Sequence, residues 1–339
     1  MPKAEVLEYE VGNRTVRLSS PDRMIFPERG FTKKDVFEFY LAVQEPMLRG
    51  LNNRPTTLQR FPEGIDGEAF YQKRIPTKGV PPWVNSAQIT FPSGRKADEL
   101  CPTEPGHILW AAQMGAIVFH PWPVRASDAD SPDELRIDLD PQPGTDFRDA
   151  AWVAQEHARA VLEEAGLVGQ AKTSGGRGVH IYVRIRPEWD FIDVRHAAIA
   201  FGRALEKRAP DRVTTAWWKE ERGERVFVDF NQMSRDRTIA AAYSLRANKR
   251  ATVSTPVTWE ELSDVEPDDF DLGTVPDRLK KVGDPWESID AKAFGIETLL
   301  EWYSADPREM PYPPDYPKMT GEPPRVQPSK INPANWADQ

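Results

Sequence analysis

The sequence predicts a mixed α/β or α+β fold. Three observations lead there: short apolar runs with period-two alternation, longer stretches with helical spacing, and the interleaving of the two along one chain. Turn residues flank several strands and permit reversals of direction, so both classes stay open on pattern alone.

Taken in order, Thr32 is placed to cap a helix starting near Lys33, with Val36, Phe37, Tyr40 and Leu41 at helical spacing. "GHILWAAQMGA" reads as a second helix that leads into the strand "AIVFH", ending at His120. In "ELRIDLDP", residues 134–141, side-chain alternation sends Ile137 and Leu139 to a core and leaves Asp138 and Asp140 together on the opposite face. "FRDAAWVAQEHARAVLEEAG" is a single amphipathic helix stopped by Gly166. "SGGRGVHIYVRI" is a glycine turn feeding a strand whose Val179, Ile181, Val183 and Ile185 face inward, with His180 and Tyr182 on the other side. Residues 192–208 form a further helix. "ERVFVDF" forms a strand that carries Asp229 on the face of Arg225 and Phe227. From Pro307 the chain becomes dense in proline, which excludes helix and inner strand and predicts an extended or disordered tail.

A chain of 339 residues with a single cysteine, Cys101, excludes an internal disulfide and a cysteine-rich zinc cage. No run approaches the roughly 20 apolar residues of a membrane span, and the first residues lack a secretion signal, so a cytosolic monomer without a membrane partner is expected. The net charge of −9 argues against indiscriminate nucleic-acid binding. The acidic residues crowd 260–271, however, while Arg14, Arg17, Arg23, Arg29, Lys33 and Lys34 leave a basic group in the N-terminal third.

Two aspartates side by side at a strand end are costly unless something positive sits between them. With Asp229 as a third carboxylate at another strand end, the set suits a pair of divalent cations, because Mg²⁺ and Mn²⁺ prefer oxygen ligands and keep positions open for water or phosphate. An Asp-x-Asp at a strand end also arises by chance, so its company matters. "TSGGRGVH" supplies Gly175, Gly176 and Gly178 for close backbone approach to an anion, with Ser174, Arg177 and His180 as donors. Taken singly, His120 reads as a hydrogen-bonded core histidine and Arg246 as a solvated surface arginine. In "AFYQKR" adjacent rings face opposite sides of a strand, which puts one of Phe70 and Tyr71 in the core. An exposed ring beside Lys73 and Arg74 would instead be a stacking platform for a base.

"LRIDLDP", "TSGGRGVH", "RVFVDFNQ" and "YSLR", in that order, flanked by "RMIFPERGFTKKDV", "QRFPEGIDGEAFYQKR" and "VPDRLKKVGDPW", resemble the polymerase domain of bacterial ligase D, a member of the archaeo-eukaryotic primase superfamily that serves DNA end joining. The resemblance runs from about residue 10 to about residue 305. It implies an α+β core with a central antiparallel or mixed β-sheet flanked by helices, and an N-terminal helical and strand module packed on it. We expect one catalytic unit over 1–305, with the module at about 10–115 and the core at about 116–305, followed by the Pro-rich tail at 306–339.

The resemblance implies that Asp138, Asp140 and Asp229 are metal-binding catalytic carboxylates holding two Mn²⁺ or Mg²⁺ ions. His120, Ser174, Arg177, Gln232, Arg246 and Arg60 fall where the family contacts the incoming nucleotide, and His180 belongs to the same motif. Phe70 and Tyr71 match aromatics near the base and template, and Arg222 a basic loop position near the primer. Arg23 and Lys33, with Ser20, match a pocket for the 5′-phosphate across a gap. Ser20 and Arg23 stand where Asn and Lys are frequent, Gln59 where Lys is, Met233 where Asn is, and Ala242 replaces a proline before "YSLR".

The implied activity is template-directed nucleotidyl transfer from an NTP or dNTP, with ready use of ribonucleotides, filling short gaps or broken ends of primer–template DNA. Within these residues there is no ligase or nuclease module, so a stand-alone relative working with a separate DNA ligase or a Ku-type protein is expected. A metal-dependent nuclease, a non-catalytic binder of DNA breaks and a primase that starts without a primer are the rival readings.

Overall fold

A computed structural model describes residues 6–91 and 93–312. Most of the Pro-rich tail, 313–339, lies outside the described residues, while 306–312 run extended along the body.

The N-terminal part opens with an antiparallel hairpin of β1 (Val6–Val11) and β2 (Arg14–Ser19), then a short pair, β3 (Met24–Phe26) and β4 (Phe31–Thr32). Helices α1 (Lys33–Ala42) and α2 (Gln44–Leu51) follow. Thr32 caps α1: its hydroxyl accepts from the Asp35 N–H, and the Asp35 carboxylate accepts from the Thr32 N–H. Val36, Phe37, Phe39 and Tyr40 fill the buried face, so Phe39 takes the place expected of Leu41, which is half-buried. Next comes an antiparallel sheet of β5 (Thr56–Arg60), β6 (Phe70–Gln72), β7 (Ser86–Thr90) and β8 (Lys96–Leu100). It is completed, after α3 (Pro105–Gln113), by β9 (Ala116–Pro121) along the other edge of β5.

The second sheet has six strands. Along the chain these are β10 (Glu134–Pro141), β11 (Gln170–Thr173), β12 (Val179–Arg184), β13 (Val213–Thr214), β14 (Val226–Val228) and β15 (Pro256–Val257). Their spatial order is β13-β14-β10-β12-β11-β15, antiparallel except for the parallel β13–β14 pair. The sheet is therefore mixed and the fold α+β. Helices α4 (Phe147–Val153), α5 (Arg159–Glu164) and α6 (Phe191–Arg208) flank it. The short α7 (Lys219–Arg222), then α8 (Val275–Val282) and α9 (Glu297–Ala305), complete the α-helices among the described residues.

Two expected elements differ. The helix read as continuous over 147–166 is broken between α4 and α5 by a π-helical turn at Ala154–Ala158. One wide turn rotates the second half of the helix, and periodicity averaged over 20 residues conceals it. Strand β14 stops at Val228, so Asp229 leaves the sheet and instead caps a 3₁₀ turn, Phe230–Met233, accepting the Asn231 N–H.

The alternation in "ELRIDLDP" works as expected. Ile137 lies opposite Ile181, and Leu139 between Val179 and Val228, all buried under the helices. The other face of the sheet is polar and looks toward the N-terminal sheet, whose strand end it grips: Arg136 donates to the Pro121 and Trp122 carbonyls at 2.6 and 2.9 Å. A buried ion network fixes this junction. Arg54, fully buried, pairs with Asp133 at 2.5 Å and Glu134 at 3.0 Å, and Glu134 also holds Arg136 and Arg184. Against the penalty of burial, these arginines hold the Glu134 carboxyl far below its usual range. Removing one member leaves buried charges uncompensated, so Glu134→Ala is expected to destabilise the chain by about 3–5 kcal/mol in urea unfolding. Changing its partner Arg54, which lies just before β5, to Ala should cost a similar amount of stability.

Candidate active site

The polar face of β10 is where the carboxylates collect. Asp138 pairs with His180 across β10–β12, Asp140 with Phe227 across β10–β14, and the Asp229 N–H donates to the Asp138 carbonyl at 3.0 Å. That last bond brings the third carboxyl beside the first. Gln232 bridges them, its amide nitrogen 3.3 Å from Asp138 Oδ2 and 3.2 Å from Asp229 Oδ2. Asp140 is held separately by Gln142, whose amide nitrogen lies 3.0 Å from its Oδ2.

Burial, followed by repulsion from Asp229 and Asp140, pushes the Asp138 carboxyl up to about 8, and burial also raises Asp229. The charges of Lys172 and Arg246 offset this only in part. Among the described residues no three His, Cys, Asp or Glu side chains close into a preformed cation cage. The donor set nevertheless suits hard divalent ions: several carboxylate oxygens, two of them bridged by one amide, and one carboxyl raised by burial and by its like-charged neighbours.

Behind Asp138 stands a chain of donors. His180 Nε2 lies 3.5 Å from Asp138 Oδ1, and the fully buried Lys172 lies 2.8 Å from His180 Nδ1 and 2.5 Å from Ser254 Oγ. Burial, with the charges of Arg246 and Arg136, drives the Lys172 ammonium well below its usual range, and burial with Lys172 does the same to His180.

The glycine turn is built around Ser174. Its Oγ accepts from the Gly176 and Gly178 N–H groups at 3.1 and 3.0 Å, so these two amides are turned inward and not toward an anion as the sequence led us to expect. Gly175 has φ +69°, and a Cβ there would sit 2.5 Å from Arg246 Cγ; only glycine lets Arg246 lie against the turn. Arg246 is no surface arginine. It is half-buried, it has no ion-pair partner among the described residues, and its charge acts on Asp138 and Tyr71. Arg177 reaches the Pro141 carbonyl at 3.2 Å, beside Asp140.

His120 faces the same cleft from β9, its ring 5.8 Å from that of Tyr71. Its Nε2 is buried without a hydrogen-bond partner among the described residues, contrary to the capped core histidine expected of it alone. Burial and the charge of Arg246 push it down to about 3, so the imidazole is neutral at physiological pH. Neither ring of the Phe70–Tyr71 pair is in the core: they are 43% and 62% exposed, on a three-residue strand at the edge of its sheet. The Arg60 guanidinium lies over Phe70 at 5.0 Å.

Arg60 also donates to the Met114 carbonyl at 2.7 Å, and its charge reaches Lys33. This places it with Arg23 and Lys33 and apart from the carboxylates. Lys33 donates to the Ser19 carbonyl at 2.8 Å and Gln113 at 2.9 Å, and burial plus Arg23 and Arg60 push its ammonium down to about 8. Ser20 turns the chain at φ +53°, its carbonyl accepting the Arg23 N–H, and Arg23 is shared with Glu63 at 3.0 Å. The result is a cluster of three cations with one carboxylate, separate from the aspartates.

Arg222, expected near the primer, faces inward. It is buried, its guanidinium donating to the Ala216 and Trp217 carbonyls and to Gln142, over the Phe227 ring at 3.5 Å. With these donors engaged inside the protein it supports Gln142 and so Asp140. Gln142, Lys172 and Asn231 were not foreseen, because single polar residues outside a spaced motif carry no signal until the fold brings them together.

Comparison with known proteins agrees with the geometry. The model of the family described as LigD, primase-polymerase domain, matches residues 32–286. The chain belongs to that family. Among curated LigD relatives, the multifunctional non-homologous end joining protein LigD of Mycolicibacterium smegmatis is 33% identical over 311 residues, covering 89% of this chain and 40% of its own length. The bifunctional non-homologous end joining protein LigD of Bacillus subtilis is 31% identical, covering 80% and 43%. This LigD-family chain thus spans about two fifths of the length of the relatives it matches. In solved structures, the polymerase domain from Mycobacterium tuberculosis ligase D in complex with DNA matches with a TM-score of 0.75 and 32% identity, over 82% of this chain and 99% of that one.

The raised Asp138 has a measurable consequence without any substrate. A carboxyl whose folded value lies above its unfolded one favours the fold fully below the unfolded value, and that contribution is lost as pH rises through the folded value. In chelator-treated protein, stability should fall between about pH 4 and pH 8 by one kcal/mol or more, roughly 2–4 °C in Tm per kcal/mol. Asp138→Asn should flatten that profile.

Proposed function

We propose that the chain is a template-directed nucleotidyl transferase: the 3′-hydroxyl of a primer attacks the α-phosphate of a nucleoside triphosphate and pyrophosphate leaves. The observation that carries this reading is the convergence of Asp138, Asp140 and Asp229 beside Arg246, an arginine with no ion-pair partner among the described residues, in a LigD-family fold. The three carboxylates would hold two Mn²⁺ or Mg²⁺ ions, which when bound activate the hydroxyl and neutralise the leaving pyrophosphate. The chain's own part is positioning and charge. Arg246 and Arg177 bind triphosphate oxygens, and Ser174 keeps the turn beneath them in shape. His120, neutral and with a free buried nitrogen, orients the nucleotide. With cations on the carboxylates, the Gln232 amide that now bridges Asp138 and Asp229 would be available to the substrate.

Tyr71 and Phe70 present exposed faces to bases of the nucleotide and template, in reach of the Arg246 and Arg60 charges. The Arg23, Lys33 and Arg60 cluster binds the 5′-phosphate on the far side of a gap. Such an anchor suits the filling of short gaps and broken ends in end joining, with ribonucleotides used readily and with a ligase and an end-binding protein as partners.

The direct test is extension of a labelled primer across a short gap, with Mn²⁺ and either rNTPs or dNTPs, by wild type and by Asp138→Ala/Asp140→Ala. Template-dependent addition reduced at least ~100-fold in the double variant is expected. No addition by the wild type overturns the reading, and loss of labelled DNA without nucleotide would make the chain a nuclease. A second expectation concerns the phosphate anchor. Lys33 loses its charge near pH 8, so the advantage of a 5′-phosphate over a 5′-hydroxyl in the gap should shrink as pH rises through 8, and in Lys33→Met it should be smaller and no longer depend on pH in that range.

A further inference from the structure

The turn that carries Asp229 is fastened from behind by residues that follow the last helix. Asn231 turns its side chain away from the carboxylates: Oδ1 accepts from Arg195 Nε at 2.9 Å and from Ser234 Oγ at 3.1 Å, and Nδ2 donates to the Pro311 carbonyl at 2.9 Å. Arg195, on α6 and without solvent exposure, commits its other donors to the same segment. It reaches Glu309 at 2.5 Å and the Met310 and Pro311 carbonyls at 2.8 and 3.4 Å. Its guanidinium lies 3.7 Å from the Tyr312 ring centroid and 5.4 Å from that of Phe230, so it is sandwiched between the segment and the turn.

The attachment is repeated along α6. His196 Nε2 lies 3.0 Å from Glu309, its ring stacked on Tyr303, and Arg203 donates to the Asp306 and Arg308 carbonyls. An arginine buried to this degree is tolerated only while its donors stay matched, which makes the segment part of the fold and not an incidental contact.

We propose that residues 306–312 are a strap that, through Arg195 and Asn231, fixes the turn bearing Asp229 and Gln232. The spacing of the carboxylates then depends on chain that lies beyond the last helix. Arg195 and Asn231 are positioning residues. That Asp229 holds a cation rests on the proposed nucleotidyl transfer; the mechanical link between strap and turn does not.

The test is amide hydrogen exchange in the metal-free full chain, in Glu309→Gln, and in a chain ended after Ala305. The turn's own bonds run from the N–H groups of Asn231, Gln232 and Ser234 to Asp229 Oδ1, the Asp229 carbonyl and the Asn231 carbonyl. These three amides should exchange about tenfold faster in the shortened chain, and by a smaller factor in Glu309→Gln, while those of β10 and β12 stay as they were. The Mn²⁺ concentration for half-maximal primer extension should rise with no change in KM for the triphosphate. Unchanged exchange at 231–234 in Glu309→Gln and in the shortened chain overturns the proposal, as does an equal acceleration throughout α6 and the sheet. Absence of polymerase activity in the full chain would sink the functional reading alone, since the exchange result decides the strap by itself.

Discussion

Electrostatic repulsion among three carboxylates at one end of a sheet is the constraint on which the rest of this structure depends. Two unit charges about 5 Å apart repel by about 3 kcal/mol at the effective dielectric of a protein, while a neutral hydrogen bond returns about 1 kcal/mol. The Gln232 bridge between Asp138 and Asp229 is therefore too weak to balance them. The repulsion and burial raise the Asp138 carboxyl, with partial compensation from Arg246 and Lys172, both of which are themselves depressed by burial. Under the proposed function, such a site would take up divalent cations together with an anionic substrate.

Much of the surrounding architecture can be understood as keeping that arrangement from relaxing. The apolar residues of β10 anchor one face so that the aspartates cannot turn inward. Gln142 and Arg222 hold Asp140, the His180–Lys172 pair backs Asp138, and the 3₁₀ turn presents Asp229. The N-terminal sheet closes the other side, bringing His120 and Tyr71 together and tied to the start of β10 through the Arg54–Glu134 network. Strap, turn and sheet thus form one continuous support.

The parts legible in the sequence were those with a short-range cause. Thr32 and Asp35 are a capping signature within four residues, and the alternation of Ile137, Asp138, Leu139 and Asp140 is fixed by the geometry of a single strand. The gathering of the aspartates with Arg246 was legible through a family resemblance and not through spacing. Features set by tertiary context were not legible. The π turn in the helix after β10 leaves no mark on averaged periodicity, and the exposure of both Phe70 and Tyr71 goes with their place at the edge of a sheet. The place of Arg222 near a primer came from the family resemblance, and its burial was not visible in the sequence. Lys172, Gln142, Arg195 and Asn231 acquire meaning only from partners far away in sequence.

The central claim is that the aspartate cluster is a cation site held back by a proton. It is tested most directly by calorimetric titration of Mn²⁺ into the metal-free protein at pH 7, in two buffers of different ionisation enthalpy. The account predicts saturable binding with net proton release that disappears in Asp138→Asn. Binding with no proton release, or no binding at all, would contradict it.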